Sequence, residues 1–253
     1  MAGPSGAPQQ AMDFFERQWS SYRAVVEHDL MEHRAIATAC AAALHTWLLL
    51  RPAQAAAPAL VDLGCGDLAL LAPLLRQLPL ASYTGLDLTE AVLPLAQQAL
   101  GPVPYATHWR HGDLLAWAEA DPEPTASATP ATGTDILHSA FAIHHLDDDQ
   151  KQRFLRGARR RIQPGGLLIW VDVFREPGES LEAYADRYAT RIQSNWPMLS
   201  AEQRQHVEHH LRSFDIPADR AAIQRAAEQE GWHWRWAWRG AHRAEAMAVL
   251  TPA

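Results

Sequence analysis

Residues 60–71 read LVDLGCGDLALL, and this stretch constrains the fold more than any other. An apolar run ends in an acid, Asp62, and two glycines follow one residue apart, Gly64 and Gly66. Glycine has no Cβ, so a turn built from it lets a ligand approach the main chain. DLALLAPLLRQL (67–78) reads as a helix, whose first N–H groups point back at the turn. Strand, glycine turn and helix in that order open a parallel α/β sheet, in which ligands bind beyond the carboxyl ends of the strands.

The chain keeps that alternation. SYTGLDL (82–88) reads as a second strand and TEAVLPLAQQAL (89–100) as a helix with Thr89 as its N-cap. YATHWRHGD (105–113) holds a third strand, DPEPTASATPATGT (121–134) is a surface connection, and DILHSAFAIHHL (135–146) begins as a fourth strand. DDDQKQRFLRGARRRI (147–162) places acids at the start of a helix and arginines near its end, as the helix dipole favours. QPGG (163–166) reads as a turn and LLIWVDVF (167–174) as a fifth strand. Such alternation implies a mostly parallel sheet covered on both faces.

Three segments stand outside it. Residues 1–12 read as a disordered N-terminus, and 13–50 as a helical cap without internal Pro or Gly. Residues 178–214 are helical material beyond what a crossover needs, an insertion in a domain running over 58–253. GWHWRWAWRG (231–240) alternates tryptophan with other residues at a period of two. It suits an aromatic ligand platform, or more simply a strand packing its apolar face on helices. AEAMAVL (244–250) follows as a last strand, antiparallel to it.

Composition narrows the function. The net charge of −7 leaves no basic excess to neutralise phosphates, so nucleic acid is not an expected partner. Two cysteines make no disulfide framework, and no apolar run is long enough for a membrane span. A cytoplasmic protein with a small-molecule substrate, no membrane partner and undetermined oligomeric state is expected.

Gly64-Cys65-Gly66-Asp67-Leu68-Ala69 fits the dinucleotide fingerprint G-x-G-x-x-A, which cradles a pyrophosphate. Asp62 and Asp67 flank the glycines and would repel a diphosphate. They suit a ligand with a cationic centre and an ammonium group, and S-adenosylmethionine carries both. Asp87, at the tip of the second strand, is placed to accept from ribose hydroxyls, with Leu88 against the adenine. In HGD (111–113), Asp113 can accept from the adenine amino group while the Leu114 N–H meets a ring nitrogen, or Asp113 is a turn aspartate.

VDLGCGD, YTGLDL, HGDLL, DILHSAFAIHHL and RIQPGGLLIWVDVF, in this order over about 60–174, resemble the motif series of class I S-adenosylmethionine-dependent methyltransferases, in particular their small-molecule branch. The resemblance implies a three-layer Rossmann-like methyltransferase fold with a seven-stranded, mostly parallel sheet and an antiparallel last strand. It implies S-adenosyl-L-methionine as cofactor, with Asp62 and Gly64 at the methionine part, Asp87 at the ribose and Asp113 at the adenine, and with Cys65 and Gly66 of the turn also cofactor-binding. The start of HSAFAIHH, hence Ser139, would lie beside the methionine moiety. Leu68 stands where many members carry a third glycine.

Methyl transfer from a sulfonium is an in-line displacement, and a base is needed where the acceptor must lose a proton. By topology His138, Phe141, His144 and His145 lie nearest the acceptor. His144 is expected to face the pocket and His145 the following helix, with either one as base or both structural. Asp172 and Arg175 end the fifth strand and would orient an acceptor, or form a surface pair. Tyr22, Val26, Asp29 and His33 share a face of the N-terminal helix, a lid in which Tyr22, His33 or Arg34 touches the methionine carboxylate or the acceptor. The substrate pocket is expected from Phe141, His144, Arg175 and Tyr22. His206 and His210 lie one turn apart, and Asp147, Asp148 and Asp149 adjoin. Both groups read as solvated helix positions, and no required metal is expected. An NAD-dependent oxidoreductase on a related sheet would explain the glycines and Asp87 but neither Asp62 nor the strand pair after the fifth strand. A non-catalytic cofactor-binding protein is the third reading.

Overall fold

The computed structural model of the protein describes residues 21–69, 71–121 and 133–253. The expected N-terminal tail and most of the 121–134 connection lie outside the described residues. The chain divides into two compact units, Met1–His33 with Ser180–Asp215, and Arg34–Glu179 with Ile216–Ala253.

The larger unit is a sheet between two helical layers. In chain order its elements are α1 (His33–Leu50, from Arg34 onward), β1 (Ala59–Leu63), α2 (Ala72–Leu75), β2 (Ser82–Asp87), α3 (Leu93–Leu100), β3 (Ala106–His111), α4 (Leu114–Glu119), β4 (Thr134–Ala140), α5 (Asp148–Arg161) and β5 (Ile162–Arg175). After the insertion come β6 (Ala218–Asp219), α8 (Arg220–Gln229), β7 (Trp232–Arg239) and β8 (Glu245–Pro252). The strand order is β3-β2-β1-β4-β5-β8-β7, with the two-residue β6 beside β5. β1 to β5 pair in parallel and β8 runs antiparallel to β5 and β7. This is the expected seven-strand path with a reversed last strand. The order turns between β1 and β4, so the strand ends that carry Gly64 and Phe141 line the switch point, where such sheets take ligands.

Each face of the sheet is buried. Ile36, Cys40 and Leu44 of α1 pack with Leu75 of α2, Ala96 of α3 and the strand residues Leu60, Ile136, Ile169 and Val249. On the opposite face Phe154, Leu155 and Ala158 of α5 and Ile223 of α8 cover Leu137, Leu168, Trp170 and Trp232. Central strands buried on both faces explain the unbroken apolar runs in the sequence.

The smaller unit contains helix 21–27, α6 (Leu181–Asn195) and α7 (Ala201–Phe214). Ser180 and Ser200 cap the two long helices, Ser200 in a reciprocal capping box with Gln203. The buried Arg191 guanidinium lies over the rings of Tyr188 and Trp196 and donates to the Leu30 carbonyl at 2.6 Å.

Several sequence expectations change here. The 13–50 helix is broken among its described residues, because Asp29 and Glu32 take left-handed backbone conformations (φ 55° and 58°) and residues 28–31 form a turn. Tyr22 and His33 therefore do not share a face of one helix. The 67–78 helix shrinks to Ala72–Leu75, since Leu68 is left-handed and Pro73 starts the helix. Thr89 caps a 3₁₀ turn without a side-chain bond, and α3 begins at Leu93 before Pro94. QPGG is no plain turn: Thr134 pairs with Ile162 and Ile136 with Leu167, so residues 163–166 bulge within one long β5. The tryptophan period also breaks. A register shift between Trp236 and Trp238 leaves Trp234 and Trp236 on the Trp170 face and turns Trp238 to the other one. The stripe is packing surface: Trp170 meets Trp234 edge-on at 5.7 Å and Phe174 meets Trp236 at 5.0 Å.

Candidate functional site

The turn after β1 is built from left-handed residues, Gly64 (φ 75°), Gly66 (φ 53°) and Leu68 (φ 57°). Leu68 thus adopts the conformation of the glycine it replaces, held by a buried side chain. The Gly64 and Cys65 N–H groups both donate to Leu86 O, at 2.8 and 3.0 Å. A Cβ on Gly64 would lie 2.4 Å from the Ala142 Cβ, so the room there serves the end of β4. A Cβ on Gly66 would meet nothing within 4 Å, and the open cradle is at Gly66.

Asp87 closes this turn. Its Oδ2 accepts from the Gly66 N–H and its Oδ1 from the Thr89 N–H, each at 2.8 Å. Burial raises its pKa, against the two backbone hydrogen bonds that lower it. Two such bonds leave lone pairs on each oxygen for further donors. Leu88 is 67% exposed beside it, an apolar side chain with little cover. Asp113 is the N-cap of α4, accepting from the Ala116 N–H at 2.7 Å, and Leu114 is the half-buried first residue of that helix.

Asp62 does not face outward. Its Oδ2 accepts from the Tyr83 hydroxyl at 3.0 Å, and its Oδ1 lies 2.7 Å from Nδ1 of His138. The register explains the trio: Asp62 stands opposite His138 on β4 and Gly85 on β2, so Tyr83 reaches it diagonally past a residue with no side chain. The carboxylate raises the His138 pKa to about 10, although burial acts the other way and is the larger single influence. Tyr83 is likewise raised, by burial and then by Asp62. Ser139 is also turned inward, fully buried and donating to Leu63 O at 2.7 Å. Cys65 is a buried thiol whose pKa is raised by burial, Asp62 and Asp87. Asp62 and Ser139 therefore each hold partners on neighbouring strands.

At the end of β5, Asp172 is buried and collects four donors. The His144 N–H and Trp170 Nε1 reach Oδ2 at 3.0 Å, the Val173 N–H reaches Oδ1 at 3.0 Å, and His144 Nδ1 lies 2.5 Å from Oδ1. A carboxylate on Nδ1 fixes the ring and raises the basicity of Nε2. His144 and His145 form a 3₁₀ turn with ring centroids 4.0 Å apart. His144 is the buried one of the two and His145 the exposed one. Phe141, half-buried, takes φ 54°, an uncommon conformation for an aromatic residue and one associated with functional turns.

Arg175 is committed elsewhere. Its Nε donates to Pro217 O at 2.7 Å and its Nη1 to Glu179 O at 2.8 Å, clasping the two necks of the insertion. Lys151, which sequence reasoning passed over, is fully buried and donates to Leu146 O and Ile216 O. Burial lowers its pKa to about 8. Tyr22 (41% exposed) and the buried His33 belong to the smaller unit, and Arg34 is an exposed residue of the larger one. His210 pairs with Asp215 at 3.3 Å.

Comparison with known proteins agrees with this geometry. Residues 61–168 match the family described as a methyltransferase domain. An uncharacterized methyltransferase of Mycobacterium bovis is 31% identical over 111 residues, covering 44% of this chain and 48% of its own. The trans-aconitate 2-methyltransferase of an Azoarcus species is 32% identical over 112 residues, 44% of this chain and 38% of its own. The match thus spans about half the length of these curated relatives or less. Among solved structures, magnesium protoporphyrin IX methyltransferase from Synechocystis superposes with a TM-score of 0.58 at 14% identity, covering 95% of each chain. Among the described residues no helix is long and apolar enough to cross a membrane. The part of the chain that these relatives share is thus its 61–168 segment, which matches a methyltransferase domain.

Proposed function

We propose that the protein transfers a methyl group from S-adenosyl-L-methionine to a small-molecule acceptor that gives up a proton as it is methylated. When bound, the cofactor supplies an electrophilic methyl on a sulfonium. The open cradle at Gly66, the Asp87 carboxylate with lone pairs to spare and the exposed Leu88 fit its ribose and adenine. Asp113 and Leu114 stand one strand further along, at the expected adenine end.

The observation that carries the acceptor side is the Asp172–His144 pair, 2.5 Å apart at the end of β5. In this reading Nε2 of His144 takes the acceptor proton, and Asp172 steadies the imidazolium that forms. His145 and Phe141 flank the same turn and shape the acceptor's approach. The N-terminal segment 13–50 and the 178–214 insertion, both outside the matched domain, are where we place acceptor choice. A cytoplasmic setting without a nucleic-acid partner follows from the charge of −7 and the two free cysteines, Cys40 and Cys65.

Calorimetry tests the cofactor half. S-adenosylhomocysteine should bind, NADH should not, and Asp87→Ala should weaken the uptake. The reverse preference would move the protein to the oxidoreductases. The acceptor half is tested by screening phenols, carboxylic acids and amines for release of S-adenosylhomocysteine, followed by His144→Ala on the best acceptor.

A further inference from the structure

The trio beneath the glycine turn is unlike an exposed binding acid. Asp62, His138 and Tyr83 come from three adjacent strands, and all are buried. Asp62 is committed on both oxygens. Two residues later the chain makes the Gly64 turn, whose N–H is tied to β2 through Leu86 O. The side chains thus fix the end of β1 to β2 and β4 where the turn departs. A carboxylate paired this way contributes little field to a ligand outside, because its charge is compensated at 2.7 Å.

We propose that His138 is a positioning residue of the donor site: with Tyr83 it holds the Asp62 carboxylate inside the sheet as a neutralised anchor for the Gly64–Gly66 turn, so that the carboxylate charge met by the cofactor is that of Asp87. This rests on the reading of the site as one for S-adenosylmethionine. It inverts the role that the sequence suggests for Asp62, since the acid before the glycines acts on the ligand through the turn's shape.

The groups facing His138 are Asp62 from β1, Tyr83 from β2, Cys40 from α1 and, through Tyr83 and Asp62, Cys65 in the turn. Its neighbour on β5 is the apolar Ile169. The Cys40 Sγ lies against the Met247 sulfur at 3.6 Å. Without His138, Asp62 would keep the Tyr83 hydroxyl as its side-chain donor but lose the paired ring, and burial disfavours an uncompensated carboxylate.

The test compares S-adenosylmethionine, a cation at sulfur, with S-adenosylhomocysteine, neutral there, by calorimetry between about pH 5.5 and 8.5, the span in which histidine and a raised carboxylate titrate. His138→Leu should weaken both ligands about 10- to 100-fold, the loss typical of a displaced positioning group. Its affinity ratio for the two ligands should also acquire a step with pH that the wild type lacks. Asp87 is the same in both proteins and cancels in that comparison. His138→Asn, which keeps an N–H donor near the Nδ1 position, should recover most of the affinity. On the wild type, ¹⁵N NMR of the His138 ring should show both nitrogens protonated up to about pH 8.

Equal binding by His138→Leu and wild type, or an equal loss for both ligands at every pH without recovery in His138→Asn, would overturn the proposal. If His138→Leu does not fold, the asparagine variant and the NMR titration decide it, and a ring that loses its proton near its ordinary value would sink the idea. A wild type that binds neither ligand brings down the functional reading itself. A wild type that binds both while the variants stay unchanged brings down only the role of His138.

Discussion

Two aspartate–histidine pairs meet through Nδ1 on one sheet, Asp62–His138 at 2.7 Å and Asp172–His144 at 2.5 Å. Their surroundings differ. Asp172 also receives N–H donors from Trp170, Val173 and the His144 backbone, so its charge is stabilised whatever the His144 ring does. Among the described residues, Asp62 has the Tyr83 hydroxyl besides His138 as its side-chain partners. A histidine whose proton can leave without stranding a buried charge is fit for a base, and one whose proton cannot is a lock. Depth agrees with this: His138 sits inside a strand, while His144 lies in the turn beyond the strand ends.

The largest expected effect separates the two pairs. His144→Ala should lower turnover of an accepted substrate by about 10²- to 10⁴-fold, the usual worth of a general base. Its affinity for S-adenosylhomocysteine should stay within error of wild type. The His138 variants should show the opposite pattern. Steady-state kinetics with calorimetry on the same samples reads both, and a His144→Ala enzyme with near-normal turnover would end the contrast.

Next in size is Asp87→Ala. A charge-assisted bond to a ligand hydroxyl is worth about 1.5–3 kcal/mol, so loss of affinity by roughly 10- to 100-fold is expected. Asp62→Asn should cost less binding and more stability than Asp87→Ala, because breaking a buried pair is worth about 3–5 kcal/mol. Denaturant midpoints and binding isotherms for the two variants would reverse that ranking if Asp62 were the ligand's partner.

The pH dependence of stability sharpens the comparison further. His138 is raised from 6.5 to about 10. Its contribution is complete below the unfolded value of 6.5 and is lost as pH climbs to 10. Lys151 is lowered from 10.5 to about 8. It binds fewer protons folded than unfolded, so its contribution grows as pH rises from 8 to 10.5. Between 8 and 10 the two oppose each other, each with a slope of at most about 1.4 kcal/mol per pH unit. His138→Asn should therefore leave a profile rising with pH in that window, and Lys151→Met one falling with pH. Urea midpoints at close pH steps test this, and variant profiles parallel to wild type would refute both assignments.

What the sequence made legible follows from local physics. The strand and glycine turn at β1, the acid at the tip of β2 and the acid-to-arginine polarity of α5 are encoded within a dozen residues each, and they appear in the structure. The trio of Asp62, Tyr83 and His138 was not legible, because it depends on cross-strand register between segments 21 and 76 residues apart. The sequence neighbours of Asp62 point to the methionine part of the cofactor and carry no sign of these cross-strand partners. The tryptophan stripe misled for a similar reason, since one bulge near Ala237 reverses the facing of Trp238 without leaving a glycine or proline to announce it.

The smallest expected effects distinguish the two glycines. Gly64 and Gly66 both need a left-handed backbone, and a side chain at such a position costs about 1–2 kcal/mol. Only Gly64 adds a collision, with the Ala142 Cβ at 2.4 Å. Gly64→Ala should thus be the more destabilising, and Ala142→Gly should relieve part of its cost, leaving the backbone term that Gly66→Ala shows alone. Binding should order them the other way, because the methyl added at Gly66 enters the open cradle while the one at Gly64 pushes on β4. Thermal melts and S-adenosylhomocysteine isotherms for the three variants give both rankings. Equal stability losses, or no relief from Ala142→Gly, would mean that Gly64 is required by its φ and not by the end of β4.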